Sequence, residues 1–310
     1  MPPSVTAPSG EQFVIESGGY RAVVTESGAA LRSLTHHGRD LVDGFAEDAM
    51  SSGGRGQLLV PWPNRVRDGR YSYGGTEHQL ALTEPSRHNA SHGLARWAAW
   101  QPVGPPAGGD TVTLGLRLMA QTGYPWTLQL NVSYTLDESG LVVTQSARNL
   151  SGTAAPYASG AHPYLTAGPG GLDDWQLTCP ASVRALSDPE RLLPAGREDV
   201  AGTAYDFREP RRVGDVQVNH AFTGLITDAE GVAMTTLVDP GTGTGVALWV
   251  DRHHRWLMLY SSDDRPGSAR RSLAVEPMTA GADAFNSGEN LVTLEPGGSF
   301  VATWGIRAVG

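Results

Sequence analysis

The sequence predicts an all-β protein, a large antiparallel β-sandwich. Two stretches alternate strictly between apolar and polar residues. Thr111 to Leu118 places Val112, Leu114, Leu116 and Leu118 on one face, and Leu128 to Leu136 places Leu128, Leu130, Val132, Tyr134 and Leu136 on one face. A period of two over such lengths belongs to half-buried strands. Glycine (39) and proline (21) are spread along the 310 residues, which favours many strands joined by turns over long helices. No segment carries a helical apolar stripe beyond a turn or two.

The elements follow in order. Strands are expected at Gln12–Glu16, Tyr20–Glu26 and Ala29–His36. Arg70–Tyr73 and His78–Leu82 flank Gly74-Gly75, a hairpin signal. After the two alternating strands, Asp137-Glu138-Ser139-Gly140 supplies a turn and Leu141 to Ala147 returns as the partner. Later strands are expected at Trp175–Cys179, Ala221–Leu225, Val232–Val238, Gly245–Val250, Trp256–Tyr260, Ser272–Glu276, Asn290–Leu294 and Ser299–Arg307. Residues 183–217, rich in Pro, Arg and Asp, are expected to form a long excursion with short turns. Residues 1–10 are expected to be a frayed tail. With no composition break, residues 11–310 are expected to form a single sandwich domain.

Composition narrows the function classes. The net charge is −9, and every one of the 23 cations is arginine, since the chain has no lysine. An acidic chain without a basic block is a poor partner for nucleic acid or anionic lipid. No run of about 18 apolar residues is present, so no membrane span is expected. The proline-rich start lacks the apolar region of a signal peptide. The lone Cys179 excludes an intrachain disulfide framework. Together these predict a cytoplasmic protein, monomeric or homodimeric.

The stretch from Leu58 to Trp100 carries the strongest functional signal. Pro61-Trp62-Pro63 stiffens a turn that presents Asn64, Arg65 and Arg67, and a second irregular loop delivers His92 beside Gly93. Two further titratable residues have comparable settings. His162 has small neighbours, Ala158 and Gly160, on its face if it lies in a strand. Glu276 has Ser272 and Ala274 on its face, with Leu273 and Val275 toward the core. A proline follows each, and it is expected to end or expose the strand at the rim of a cleft. Two His and a Glu suffice for general acid–base work. The competing readings are a satisfied core histidine for His162 and an arginine-paired carboxylate for Glu276. Metal binding is disfavoured: His88 and His92 have helical spacing in a stretch broken by Pro85 and Gly93, and His253 and His254 would point opposite ways on a strand. No Gly-x-Ser-x-Gly elbow is present, and Gly241 to Gly245 reads as a turn.

Pro61-Trp62-Pro63-Asn64-Arg65, Asp68-Gly69-Arg70-Tyr71, His92-Gly93-Leu94, Gly160-Ala161-His162-Pro163-Tyr164 and Glu276-Pro277-Met278-Thr279, with Ala284-Phe285-Asn286 after it, occur in this order. The combination resembles the aldose 1-epimerase family, the galactose mutarotases, over roughly residues 12–307. The resemblance implies a supersandwich fold and a cofactor-free, metal-free interconversion of the α- and β-anomers of a small sugar, a hexose or pentose. It implies that Glu276 is the base at the anomeric hydroxyl, that His162 is the acid at the ring oxygen, and that His92 supports protonation. Arg65 and Asn64 would bind sugar hydroxyls. The family's sugar-binding Asp is replaced by Asn219 in Val218-Asn219-His220. Two alternatives accompany this reading. One is a hexose-6-phosphate 1-epimerase on the same scaffold, which would need arginines such as Arg67, Arg70, Arg87 or Arg96 to clamp a dianion. The other is a sugar-binding protein without catalysis.

Overall fold

The computed structural model describes residues 6–104, 109–265 and 267–310. Two large antiparallel sheets dominate. The nine-stranded sheet runs, in spatial order, Arg211–Arg212, Gln176–Thr178, Ala233–Val238, Gly245–Val250, Ser299–Val309, Gly140–Asn149, Leu128–Asp137, Thr111–Leu118 and Gln101–Pro102. The six-stranded sheet runs Tyr164–Leu165, Leu273–Met278, Trp256–Tyr260, Asn219–Leu225, Ala181–Ser187 and Pro194–Asp199. A four-stranded sheet covers Gln12 to Asp40.

Alternation decides which side chains enter the core. Along Leu128–Asp137 every second residue is buried, and these strands pair in the register Leu130↔Ala147 and Val132↔Gln145. Their inward residues share one apolar cluster with Leu257, Leu259 and Val275 of the six-stranded sheet and with Trp304 of the closing strand. Each fully buried apolar side chain there contributes about 1.5–3 kcal/mol of transfer free energy. The sandwich follows from this shared cluster, since each sheet has one apolar face to cover.

Three expectations change. The first half of residues 183–217 is not an excursion: Ala181–Ser187 and Pro194–Asp199 form a hairpin that extends the six-stranded sheet, while residues 200–217 run through turns with the short strand Arg211–Arg212. Within residues 1–10, the described part, residues 6–10, is not frayed. Residues 1–5 lie outside the described residues, but Gly10 N–H bonds to Ala7 O and Ser9 O accepts from Ser27 N–H, with Ser9 buried. The prolines after His162 and Glu276 do not end the pairing. The strand Leu273–Met278 passes through Pro277, and Pro277 and Pro163 each accept through their carbonyls, from Ala161 N–H and Val275 N–H. A proline that serves only as an acceptor costs the ladder no bond at that site. Among the described residues, no helix is long and apolar enough to cross a membrane.

Candidate active site

The six-stranded sheet has a second, distinct face. Glu276, Met258 and Ala221 stand in one cross-strand row, and Ala274, Tyr260 and Asn219 stand in the next row on the same face. Their strand neighbours Val275, Leu257, Leu259 and Phe222 point the other way, into the core. Period two thus puts a carboxylate on one side of a strand whose other side is fully apolar.

His162 comes from the adjoining segment. Gly160 bridges Met278 and Tyr164 pairs with Ala274, so His162 falls midway between them, opposite Glu276. Its Nε2 lies 3.3 Å from Glu276 Oε1. Gly54, at φ +81, leaves the space the ring occupies: a Cβ there would lie 2.7 Å from His162 Cδ2. Tyr164 stacks on the imidazole at 5.0 Å and 9°.

The two loops of the Leu58–Trp100 stretch are joined by a short ribbon. Arg65–Arg67 pairs with Asn89–Ser91, Arg65 opposite Ser91, which brings Arg65 beside His92. His92 is locked at both ends: its N–H donates to Asn64 O at 2.8 Å, and its Nδ1 accepts from Asn64 N–H at 3.2 Å. Nδ1 is therefore the acceptor, and the proton of the neutral ring sits on Nε2. The His92 and His162 rings meet edge to face at 5.6 Å. Glu84 grips Arg65 in a bidentate pair at 2.7 and 3.0 Å, and also holds Arg87.

These groups line a cavity of about 320 Å³ that includes Asn64, Arg65, His92, His162, Asn219 and Glu276. All six residues expected at the site thus converge. His162 and Glu276 are only 5% and 2% exposed, yet both face this cavity rather than packed side chains. Glu276 Oε2 and His162 Nδ1 have no hydrogen-bond partner among the described residues. Asn64 has a task beyond substrate contact, since its backbone fixes the His92 ring. Asn219 sits on the wall shared with a neighbouring chamber of about 380 Å³ floored by Trp256 and Met258.

Burial controls the charges. It pushes the Glu276 carboxyl up to about 8, against a smaller opposing pull from Arg65. It pushes His162 down to about 3, aided by the positive fields of Arg96, Arg265 and Arg55. His92 is held well below the usual histidine range by burial first, then by His162, Arg96 and Arg65. Burial thus carries both histidines away from the ordinary imidazole value. The resting pair is a protonated Glu276 beside a neutral His162.

The ligating atoms of His92, His162 and Glu276 lie within 4.8 Å of one another, so a metal must be weighed. A metal-binding imidazole donates its other N–H to an acceptor. His92 does the reverse: its Nδ1 takes a backbone N–H, so its Nε2 presents a hydrogen rather than a lone pair. The arrangement suits hydrogen bonding to an oxygen ligand. The other histidines serve elsewhere. His88 Nδ1 bonds Asp68 Oδ1 at 2.8 Å, and His254 Nδ1 bonds Asp251 Oδ1 at 2.9 Å within a turn, not a strand.

Several lining residues were not picked out from the sequence. Tyr260, Met258 and Arg265 depend on strand register and on a loop's path. Trp97 stands at the rim, 52% exposed, unlike the other tryptophans, which are in the core or half-buried. Of the arginines weighed for a phosphate, Arg87 and Arg96 line this cavity, Arg67 lines the neighbouring chamber bound to Asp283, and Arg70 lies on an exposed hairpin.

A family model described as aldose 1-epimerase matches residues 11–307. The uncharacterized protein YihR of Escherichia coli (strain K12) is 34% identical over 290 residues, which covers 93% of this chain and 90% of that protein. The galactose mutarotase of Homo sapiens is 30% identical over 224 residues, covering 66% of this chain and 62% of that protein. Among solved structures, the GalM/aldose epimerase homologue from C. elegans has a TM-score of 0.83 at 18% identity, with 96% of this chain and 98% of that chain covered. That likeness shows a shared β-sandwich fold. With a match across nearly its whole length, the chain belongs to the aldose 1-epimerase family.

Proposed function

We propose that the protein is an aldose 1-epimerase that interconverts the α- and β-anomers of a free aldose by acid–base ring opening. One observation carries the reading: a carboxylate and an imidazole stand 3.3 Å apart in an open cavity. The anomeric oxygen O1 and the ring oxygen O5 are bonded to the same carbon. Groups that act on both at once must be neighbours of this kind.

In the reaction Glu276 takes the proton from O1–H while His162 Nε2–H gives a proton to O5. The C1–O5 bond breaks, its electron pair goes to O5, and O1 forms the aldehyde carbonyl. Rotation about C1–C2 presents the other face, and the steps reverse. The pair takes up one proton and releases one, so its proton count never changes. The resting pair already holds that count. Moving its proton from Glu276 to His162 creates the base and the acid together. His92 donates its Nε2–H to the oxygen that gains charge, and Arg65 and Asn219 hold hydroxyls. Each positioned acid or base contributes about 10²–10⁴-fold. Mutarotation is slow but measurable in water, so two such groups suffice.

Polarimetry on freshly dissolved single anomers of several aldoses tests this. The proposal predicts faster equilibration than in buffer alone for at least one sugar. If every sugar relaxes at the buffer rate, the protein is not an epimerase of free aldoses.

A further inference from the structure

The cavity wall carries two cations that the reaction above does not use and that no carboxylate neutralises among the described residues. Arg65 and Arg87 are both neutralised by Glu84. Arg96 and Arg265 also line the cavity, and among the described residues neither has a carboxylate within ion-pairing distance. Arg265 Nε bonds only the Tyr260 hydroxyl, at 3.1 Å. Asp264, the one other acid on the wall besides Glu84 and Glu276, accepts from that same hydroxyl. A half-buried arginine without a carboxylate partner, as Arg96 is, is costly to fold around, and a ligand anion removes the cost.

Their position narrows what the anion is attached to. Gly53 and Gly54 are consecutive. A Cβ on Gly53 would meet Arg265 Nη1 at 3.0 Å, and one on Gly54 would meet the His162 ring at 2.7 Å. Arg265 therefore stands on the same side of the cavity as His162, and its charge acts on that ring. Arg96 acts on His162 more strongly than any other charge does. His162 serves O5 in the reaction proposed above, on which this inference rests. The carbon beyond O5 is C5, and its substituent is C6.

We infer that the preferred substrate is an aldose with an anionic group at C6, held by Arg96 and Arg265. The anion has a second effect. Burial first, and then the positive field of the two arginines, holds His162 neutral, and an anion between them cancels that field. Binding the right sugar thus raises the proton affinity of His162 and draws the shared proton from Glu276. The substrate itself then prepares the reacting charge state. A neutral sugar lacks this effect.

The test compares catalysed over uncatalysed anomer exchange for glucose, glucuronate, glucose 6-sulfate and glucose 6-phosphate, by NMR. These separate a planar monoanion, a tetrahedral monoanion and a dianion. At least one anionic sugar should exceed glucose in kcat/KM by about tenfold or more, and 0.5 M NaCl should shrink the margin. Arg96→Gln should cut that margin about tenfold, mainly through KM for the anionic sugar, and Arg96→Lys should restore part of it. Arg265→Gln, at an exposed position, gives the same reading if Arg96→Gln folds poorly. Arg212→Gln, which removes a surface charge elsewhere, should leave the margin intact. Glucose turned over as well as every anionic sugar, or a margin that survives both cavity variants, overturns this inference and leaves the epimerase reading standing. Exchange at the buffer rate for all four sugars overturns this inference, and the polarimetric panel of free aldoses then decides the epimerase reading.

Discussion

Glu276 and His162 share one exchangeable proton, and the pH dependence follows from it. Below about 3 the pair gains a second proton and loses its base, and above about 8 it loses its only proton and with it the acid. The rate of anomer exchange should therefore be flat through the neutral range and fall on the alkaline side near 8. A profile rising through pH 9 would contradict the pair's assignment. The same burial has a stability consequence. Folded Glu276 keeps its proton to about 8, while the unfolded chain releases it near 4.5. Its contribution is fully present below 4.5 and is lost as pH rises through 8. Glu276→Gln removes that loss. The variant should gain melting temperature over the parent, and the gain should grow between pH 5 and pH 8. His92 is neutral with Nε2–H outward, a donor without metal chemistry. Treatment with EDTA followed by gel filtration should leave the exchange rate unchanged, and a loss restored by added zinc would reassign the three ligating side chains.

At the scale of elements, the site is a sheet face, a ribbon and one glycine loop. Gly54 belongs to the loop and is the sharpest test of it. Gly54→Ala forces a side chain into a left-handed backbone and against the imidazole. It should cost about 1–3 kcal/mol of stability. A displaced His162 should also cost roughly 10² in kcat. Denaturant titration and exchange kinetics measure the two separately. This scale also shows what could be read from the chain. His162 and Glu276 were legible because each sits among small residues and beside a proline, a pattern that apolar periodicity does not explain. Their convergence was not. It depends on Gly160 and Tyr164 flanking the strand of Glu276 in one register, and on the pairing of Arg65 with Ser91. Nothing local encodes either. For the same reason Tyr260 read only as a strand residue, Trp97 could not be told from a core tryptophan, and the hairpin of residues 181–199 was hidden by its polar, half-exposed sequence.

Across the whole molecule, the core holds the two sheets in the positions that make the sheet face a cavity wall. The alternating strands of the nine-stranded sheet were fully legible, since a half-buried strand writes its register into every second residue. Trp304 lies in that sheet between Val143 and Val250, almost without exposure. Trp304→Ala should destabilise by about 3–5 kcal/mol. At temperatures where the variant stays folded, its exchange rate should match the parent's, because Trp304 does not line the cavity. A thermal melt paired with kinetics at low temperature separates these effects. The four-stranded sheet and the closing strand add area to the same apolar cluster, from Phe13 to Ile306.

The most direct test of the proton shuttle is NMR magnetisation transfer between the two anomers of an accepted sugar, with parent and Glu276→Gln compared at equal concentration. Glutamine keeps the side chain's shape and cannot take a proton. The account predicts that the variant's exchange falls by about 10²–10⁴-fold while line broadening still reports sugar binding. Exchange at the parent rate in the variant would contradict it.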